Sequence, residues 1–157
     1  MTTTQTSAGT ATPVTPVTQP RARRTAERAW VRMRELVTET YDRRKEVSDT
    51  LGMSYAKAKA LRHIAAGPLT MRELAQRLVT DRPYATLLVD DLERRELVER
   101  TPHPDDRRCK LVKVTETGQA AAAVATRILQ EPPPELLGLP ESELAALDAI
   151  LAGLASA

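Results

Sequence analysis

The 157-residue sequence contains no phenylalanine, and aromatic residues make up only 3% of it. A hydrophobic core must therefore be built from Leu, Val, Ile and Ala. Because aromatic side chains are enriched in strands, an aliphatic core fits a helical protein better than a β-sandwich. The length predicts one domain with a modest core.

Cysteine and histidine are also scarce, since only Cys109, His63 and His103 occur. A single cysteine excludes a disulfide within the chain and suits a reducing compartment, so we expect a cytoplasmic protein. No His-x-x-x-His or Cys-x-x-Cys spacing is present, and we therefore expect no metal site and no cofactor. The arginines beside Cys109 favour a reactive thiolate, but an ordinary strand residue is the preferred interpretation.

Three further features are missing from the sequence. It has no glycine-rich phosphate loop and no arrangement of serine, histidine and aspartate that indicates a nucleophile. No apolar run approaches the roughly 20 residues of a membrane span. We therefore expect neither an enzyme nor a membrane protein.

Charge and composition change along the chain. Met1 to Pro20 has no charged side chain and is rich in threonine, so residues 1–22 are predicted to form a disordered tail, interpreted as an inert extension with a regulatory segment as the alternative. Residues 21–45 carry a net charge of +5 and residues 114–157 a net charge of −5. A basic front with an acidic rear is typical of an oriented DNA-binding protein, although solvated helix faces alone also produce such runs.

The most informative segment is residues 81–115. Asp81 suits an N-cap and Pro83 suits the first turn of a helix, where a missing N–H is harmless. Helical spacing then places four apolar residues on one face. They are Ala85, Leu88, Val89 and Leu92. The pattern predicts an amphipathic helix with a polar outer face.

Two short strands are predicted after this helix, at Leu97–Arg100 and Cys109–Val114, with a polar loop between them that ends in two arginines. Before it, Thr70 and Glu73 have the spacing of a capping box, and Val79–Asp81 forms the turn between two helices. A helix pair with a short turn, followed by a basic hairpin, is the arrangement with which a winged helix binds a duplex.

Further helices are predicted before and after this unit, and we expect the first and last of them to mediate dimerisation. A long amphipathic helix is expected over about 23–50, a helix capped by Ser54 ends at Gly67-Pro68, and a helix capped by Thr115 ends at three prolines. The last helix, about Glu141 to Leu154, has leucines at alternating spacings of three and four. They are Leu144, Leu147, Leu151 and Leu154, and we expect them to form a dimer interface.

Several of these motifs together resemble the MarR (multiple-antibiotic-resistance regulator) family over roughly residues 26–157. They are Gly67-Pro68-Leu69-Thr70-Met71-Arg72-Glu73-Leu74-Ala75, Ala85-Thr86-x-Leu88-Val89-Asp90-x-Leu92-Glu93, Leu97-Val98-x-Arg100, Asp106-Arg107-Arg108 and Val114-Thr115-x-x-Gly118. The resemblance implies dimeric winged-helix transcription regulators, often repressors relieved by small ligands. Three positions depart from the family pattern. Glu96 stands in place of a glycine, and Leu87 and Asp91 stand where arginine is common.

Two sets of site residues follow. We expect DNA contacts from the second helix and the wing, with Leu87 meeting a thymine methyl and Asp106 orienting an arginine. This set is Arg82, Pro83, Tyr84, Thr86, Leu87, Asp106, Arg107 and Arg108. The resemblance also implies a ligand crevice, for which the bulky side chains favour an aromatic or phenolic effector. Its expected lining is Trp30, Met33, Tyr41, Met53 and His63, each of which core packing explains equally well.

The sequence as a whole predicts a mainly α (α+β) fold, a winged helix-turn-helix with a helical dimerisation frame. The DNA-binding lobe is expected at about 54–115 within a domain spanning 23–157, and the dimerisation helices at about 23–50 and 116–156. The predicted function is a homodimeric, sequence-specific DNA-binding repressor. The alternatives are a winged-helix protein-interaction module and a non-specific architectural DNA-binding protein.

Overall fold

The computed structural model describes residues 20–105 and 109–156. Its helices are α1 (Pro20–Glu35), α2 (Arg44–Leu51), α3 (Tyr55–Ala65), α4 (Met71–Leu78), α5 (Arg82–Arg94), α6 (Glu116–Gln130), α7 (Pro134–Leu137) and α8 (Glu141–Ala155). Its strands are β1 (Leu69–Thr70), β2 (Val98–Pro102) and β3 (Lys110–Val114). The predicted mainly helical fold with a small antiparallel sheet is confirmed.

The chain divides into two compact units, residues 1–41 and 42–157. In the first, α1 continues into a π-helical turn at Leu36–Thr40, and no described residue of either segment is buried. Helix α1 begins at Pro20, so residues 20–22 are helical although the sequence placed them in the tail. The other tail residues, 1–19, lie outside the described part of the chain.

The single helix expected over residues 23–50 is interrupted. After the π-helical turn the chain leaves helical geometry at Tyr41, and α2 begins only at Arg44. The Asp42 carboxylate accepts the Arg44 backbone N–H at 2.9 Å and pairs with the Arg44 guanidinium at 2.7 Å. These contacts lower the pKa of Asp42 to about 2. A carboxylate that satisfies a free N–H at a helix start favours a new helix over continuation of the old one.

The second unit is organised around α3, which packs against α5 and α6 and carries four buried residues, Ala58, Ala60, Leu61 and Ile64. The largest fully buried side chains are all aliphatic. They are Leu61, Ile64, Leu74, Leu92, Val47, Val89 and Val112. The expected core of Leu, Val, Ile and Ala is thus present in this unit.

The sheet has three antiparallel strands in the order β1-β3-β2. Strands β2 and β3 form the predicted hairpin, with Val98 opposite Val114 and Pro102 opposite Lys110. Strand β1, which pairs Leu69 with Val112, was not predicted. Two residues are too few to show the alternation of apolar and polar side chains that marks a strand.

The Thr115-x-x-Gly118 motif joins the hairpin to α6. The Thr115 backbone N–H donates to the Leu97 carbonyl at 3.1 Å, and its hydroxyl donates to the Glu96 carbonyl at 2.8 Å. The Thr115 hydroxyl oxygen also accepts the Gly118 N–H at 3.0 Å and so caps α6. A side chain at Gly118 would put its Cβ 1.8 Å from the Leu97 carbonyl oxygen, so α6 reaches the hairpin only because that side chain is absent.

Glu96 stands in a backbone conformation that favours glycine, with φ +58°. A left-handed conformation costs a residue with a side chain roughly 1–2 kcal/mol. We therefore expect Glu96→Gly to raise the free energy of unfolding by about 1 kcal/mol, after subtraction of glycine's greater backbone entropy in the unfolded chain. Chemical denaturation measures this change.

Glu99→Gly is the matched control, because Glu99 is exposed in extended backbone on β2. Glycine weakens a strand at such a position, so this variant should lose stability. Equal losses in the two variants would show that the left-handed backbone at Glu96 carries no strain.

At the C-terminal end, α6 stops before the three prolines as expected, and α8 spans nearly the range predicted for the last helix. None of the described residues of α8 is buried. In the described part of the chain, no helix has both the length and the apolar character to cross a membrane.

Candidate nucleic-acid interface

The capping box predicted at the start of α4 is present. The Glu73 backbone N–H donates to the Thr70 hydroxyl oxygen at 3.3 Å, and the Thr70 backbone N–H donates to the Glu73 carboxylate at 2.8 Å. The bonds from the Thr70 N–H and hydroxyl lower the pKa of Glu73. The reciprocal pair fixes the residue at which α4 begins.

The connection between α4 and α5 is a tight turn. Val79 adopts a left-handed conformation with φ +55°, and the Thr80 N–H bonds to the Ala75 carbonyl at 3.0 Å. The Asp81 carboxylate then accepts the Tyr84 N–H at 2.7 Å and caps α5 as predicted. Because both ends of the turn are held, α4 and α5 form the expected helix-turn-helix.

All four residues predicted to form the inner face of α5 are buried. On its outer surface Leu87 is 65% exposed and Tyr84 is 45% exposed, and Arg82 and Pro83 are exposed as well. Thr86 was expected to donate to DNA, but its hydroxyl donates to the Arg82 carbonyl at 2.9 Å. The solvent-facing surface of α5 is therefore largely neutral at its second turn.

Helix α5 is tied to the hairpin by ion pairs. Arg100 on β2 bonds to Asp90 at 2.5 Å and also contacts Glu93. The Asp90 side chain is 47% exposed, and its carboxylate is held at the hairpin by this bond. Its partner lies ten residues away on a strand, where sequence spacing gives no signal for the pairing.

The opposite flank of α5 is tied to α3. Asp91 pairs with Lys57 at 2.7 Å and with Arg95 at 2.8 Å, and Arg95 also donates to the Gly52 carbonyl at 3.1 Å. The bond from Lys57 is the main reason that the pKa of Asp91 is lowered. These ion pairs were not predicted from the sequence. The nearby Arg94 and Arg95 were the available signal, since both lie one helical turn away.

An open depression of about 790 Å³ beside α4, the start of α5 and the hairpin is lined by the Glu73 carboxylate, the ion-paired Arg100 and three further cations. They are Arg72, Arg82 and Lys110, with His103 on the same lining. All three are exposed, and none forms an ion pair with another described residue. Arg72 was not among the predicted DNA contacts. Its position in the first turn of α4 was the only sign in the sequence that it could be one.

The predicted wing contacts Asp106, Arg107 and Arg108 lie outside the described residues. The hairpin next to them closes with a bond from the His103 N–H to the Cys109 carbonyl at 3.1 Å. Cys109 itself is exposed. No group of three potential metal ligands occurs among the described residues.

The five residues predicted to line a ligand crevice have different surroundings. In the first unit, Trp30 is 66% exposed, while Met33 and Tyr41 are half-buried. In the second unit, Met53 is buried in the core, and His63 is half-buried on α3. Burial, together with Lys59 and Arg77, lowers the pKa of His63. The ligand contacts of all five stay predictions.

The predicted dimer residues lie along one face of α8. Leu144 and Leu147 are half-buried, whereas Leu151 is 42% and Leu154 is 63% exposed. Ile150, next to this face, is 62% exposed. Each of these side chains keeps apolar surface that the described part of its own chain leaves uncovered.

Comparisons with known proteins agree with this architecture. Residues 51–108 match the MarR family model. The reduced form of MarR from E. coli is 29% identical, with 78% of this chain and 93% of that chain covered and a TM-score of 0.64. A variant of E. coli MarR complexed with operator DNA is also 29% identical, covers 78% of this chain and 91% of its own, and has a TM-score of 0.58.

The YusO protein from Bacillus subtilis shares the fold at 24% identity, with 87% of this chain and 98% of that chain covered and a TM-score of 0.67. No curated protein matches the chain. The family match covers the helix-turn-helix and the first strand of the hairpin, and the structural likeness extends beyond these residues. The chain has the winged helix-turn-helix fold, and over residues 51–108 it is similar to the MarR family.

Proposed function

We propose that the protein is a homodimeric, sequence-specific DNA-binding repressor of transcription. The observation that carries the proposal is the surface formed by α4, α5 and the hairpin, where a neutral helix face lies beside three cations that have no acidic partner among the described residues. When a helix lies in the major groove, the middle of its exposed face contacts base edges and can be neutral. Cations at the edge of that face contact the phosphates.

The electrostatic part of the proposal rests on Arg72, Arg82 and Lys110. An arginine held by a carboxylate is partly neutralised, as Arg100 and Arg95 are here. The three cations at the depression remain available to phosphates, and each neutralised phosphate releases counterions. The complex of operator DNA with an E. coli MarR variant supports the same use of the fold.

The dimeric part of the proposal rests on α8 and α1, neither of which has a buried residue in the described chain. The occupant that we propose for the exposed apolar face of α8 is the same helix of a second copy, because closed two-fold pairs are the commonest homo-oligomers. Two-fold symmetry places two recognition helices about 34–36 Å apart, one turn of DNA. Each dimer then binds two inverted half-sites.

The proposal includes relief of repression by a small aromatic or phenolic molecule. Trp30 is the only tryptophan, and its exposed ring makes it both a candidate contact and a fluorescent reporter. Effective relief requires the ligand to favour the conformation that does not bind DNA by roughly 1–3 kcal/mol. Titration of the DNA complex with aromatic acids and phenols, followed by Trp30 emission and DNA release, tests this part separately.

Arg82→Ala is expected to weaken binding to specific and random duplexes by similar factors, because it removes a phosphate contact and no base contact. The slope of log affinity against log salt should become shallower by about 1. We expect Arg108→Ala in the wing to behave in the same way. Fluorescence anisotropy with labelled duplexes at several salt concentrations measures both quantities.

Lys45→Ala is the control for this experiment, because it removes one positive charge on α2 whose ammonium already pairs with Asp49. Its salt slope should equal that of the unmodified protein. An Arg82→Ala slope that does not differ from the Lys45→Ala slope would rule out a phosphate contact by Arg82.

A titration of two duplexes at two salt concentrations separates the proposed function from its alternatives. One duplex is the best sequence selected from a random library, and the other has the same composition in shuffled order. A strong preference for the selected duplex supports a sequence-specific regulator. Equal binding indicates an architectural DNA-binding protein, and no binding to either duplex indicates a protein-interaction module.

A further inference from the structure

The outer face of α5 carries an exposed apolar side chain where base contacts are made. Residues turn about 100° per position around a helix, so Leu87 lies about 200° from buried Ala85 and points away from the core. It is 65% exposed, and it stands in the second turn of the helix. The N-terminal half of a recognition helix is the part that meets base edges in the major groove.

The polar groups around Leu87 are already engaged within the protein. On the hairpin side, Asp90 bonds to Arg100, and the Thr86 hydroxyl donates to the helix backbone. On the α3 side, Asp91 bonds to Lys57 and Arg95. One turn further on, Arg94 pairs with Asp91 as well.

These pairings leave Leu87 as the central group of the exposed second turn, with Tyr84 one turn before it on the same side. Both side chains present mainly carbon to the solvent. Arg72 and Arg82, which form no ion pair with another described residue, line the depression at the N-terminal end of α5. The arrangement therefore suits the DNA major groove, with Leu87 and Tyr84 facing the bases and the two arginines facing the phosphates at the edge of the groove.

Among the four bases, thymine alone presents a methyl group in the major groove, at its C5 atom. A leucine placed against the edge of guanine, cytosine or adenine would exclude water from the hydrogen-bond donors and acceptors of that base. Leucine offers no hydrogen bond in return, so the contact would cost free energy. Against the thymine methyl it removes apolar surface from water on both molecules at no such cost.

We propose that Leu87 reads one thymine in each half-site by packing against its C5-methyl group, with Tyr84 shielding that contact from water. The proposal rests on the DNA-binding function proposed above and specifies what that function recognises. At this position the protein then recognises the half-site through a methyl group of thymine, and not through hydrogen bonds between an arginine and guanine.

Replacement of thymine by deoxyuridine tests the contact, since it removes only the methyl and keeps both base pairing and the hydrogen-bonding edge. The probe is the duplex selected from random sequences, with each thymine of the half-site replaced in turn. At one position we expect about a fourfold loss of affinity for one half-site and on the order of 15-fold for both, the size for one buried methyl group. Thymines outside the half-sites are the internal control.

Two variants connect the methyl effect to Leu87. Leu87→Ala should bind the thymine and deoxyuridine duplexes with equal affinity, while Leu87→Met, which keeps an apolar side chain of similar volume, should retain most of the discrimination. Since Leu87 is mostly exposed, both variants should melt at the temperature of the unmodified protein. Thermal unfolding checks this.

Each outcome decides the proposal. A position-specific loss with deoxyuridine that disappears in Leu87→Ala supports it. Specific binding that is insensitive to every thymine methyl, or discrimination that persists in Leu87→Ala, overturns it and leaves the proposed function intact. If the selection yields no preferred duplex, the proposed function fails and this inference fails with it.

Discussion

Gly118→Ala is expected to cause the largest loss of stability of any single methyl addition among the described glycines. Its Cβ would lie 1.8 Å from the Leu97 carbonyl oxygen and 2.8 Å from both the Leu97 carbonyl carbon and a Val114 methyl. Two of these three atoms belong to the backbone, so no side-chain rotation relieves the clash. Helix α6 must then move away from the hairpin.

That movement also breaks the bonds from Thr115 to the carbonyls of Glu96 and Leu97. Overpacking of a core commonly costs about 1–3 kcal/mol, and we expect at least about 3 kcal/mol here because the obstruction is backbone. For a chain of this size the melting temperature should fall by roughly 6–12 °C. Chemical and thermal unfolding at one fixed protein concentration measure the change.

Gly153→Ala is the matched control, because nothing lies within 4 Å of the Cβ it would add and Gly153 is exposed in the last turn of α8. Alanine is a better helix former than glycine by up to about 1 kcal/mol, so this variant should be slightly more stable. A Gly118→Ala protein as stable as Gly153→Ala would contradict the packing described for the Thr-x-x-Gly motif.

Leu151→Glu is expected to separate the proposed dimer and abolish tight DNA binding. A carboxylate in an apolar interface loses its hydration without a partner, and each interface would contain two such groups. Because linked half-sites reinforce each other by about 100-fold or more, affinity for the full site should fall by at least that factor. Sedimentation measures the mass, and anisotropy measures DNA affinity.

The control for this variant is Ala149→Glu, which adds the same charge to an exposed position on the opposite side of α8. It should remain dimeric and bind DNA normally. Leu151 is 42% exposed within its own chain, so the Leu151→Glu monomer should keep its helical content by circular dichroism. A dimeric Leu151→Glu protein, or a monomeric unmodified protein, would contradict the assignment of this face.

Local interactions explain why much of the fold could be predicted from the sequence. The caps at Thr70, Asp81 and Thr115 form as expected, and each involves a side chain and a backbone group three residues away, whereas the Ser54 side chain makes no capping bond at the start of α3. The buried face of α5 follows equally from helical spacing. These features need no knowledge of the rest of the chain.

Features that depend on distant partners were missed. The break before α2 arises from Asp42 and Arg44, yet the apolar periodicity continues through it and predicts one helix. Strand β1 forms because Val112 lies opposite Leu69, 43 positions earlier in the sequence. The ion pairs of Asp90 with Arg100 and of Asp91 with Lys57 were also not predicted, since each joins α5 to another element.

Only the part of the candidate site that depends on local spacing could be predicted from the sequence. The exposure of Arg82, Tyr84 and Leu87 follows from the period of α5. Arg72 and Arg82 line the same depression because of the angle between α4 and α5, and no local sequence pattern predicts that angle. The DNA contacts themselves stay predictions, since they require the duplex.

Selection of bound duplexes from a random library, with the purified protein, tests whether a dimer binds a specific sequence. We expect enrichment of two inverted half-sites whose centres lie about 10 base pairs apart, the separation that a two-fold dimer imposes on B-form DNA. Enrichment of a single half-site would contradict the dimer, and sequences that remain random after repeated rounds would contradict sequence-specific binding itself.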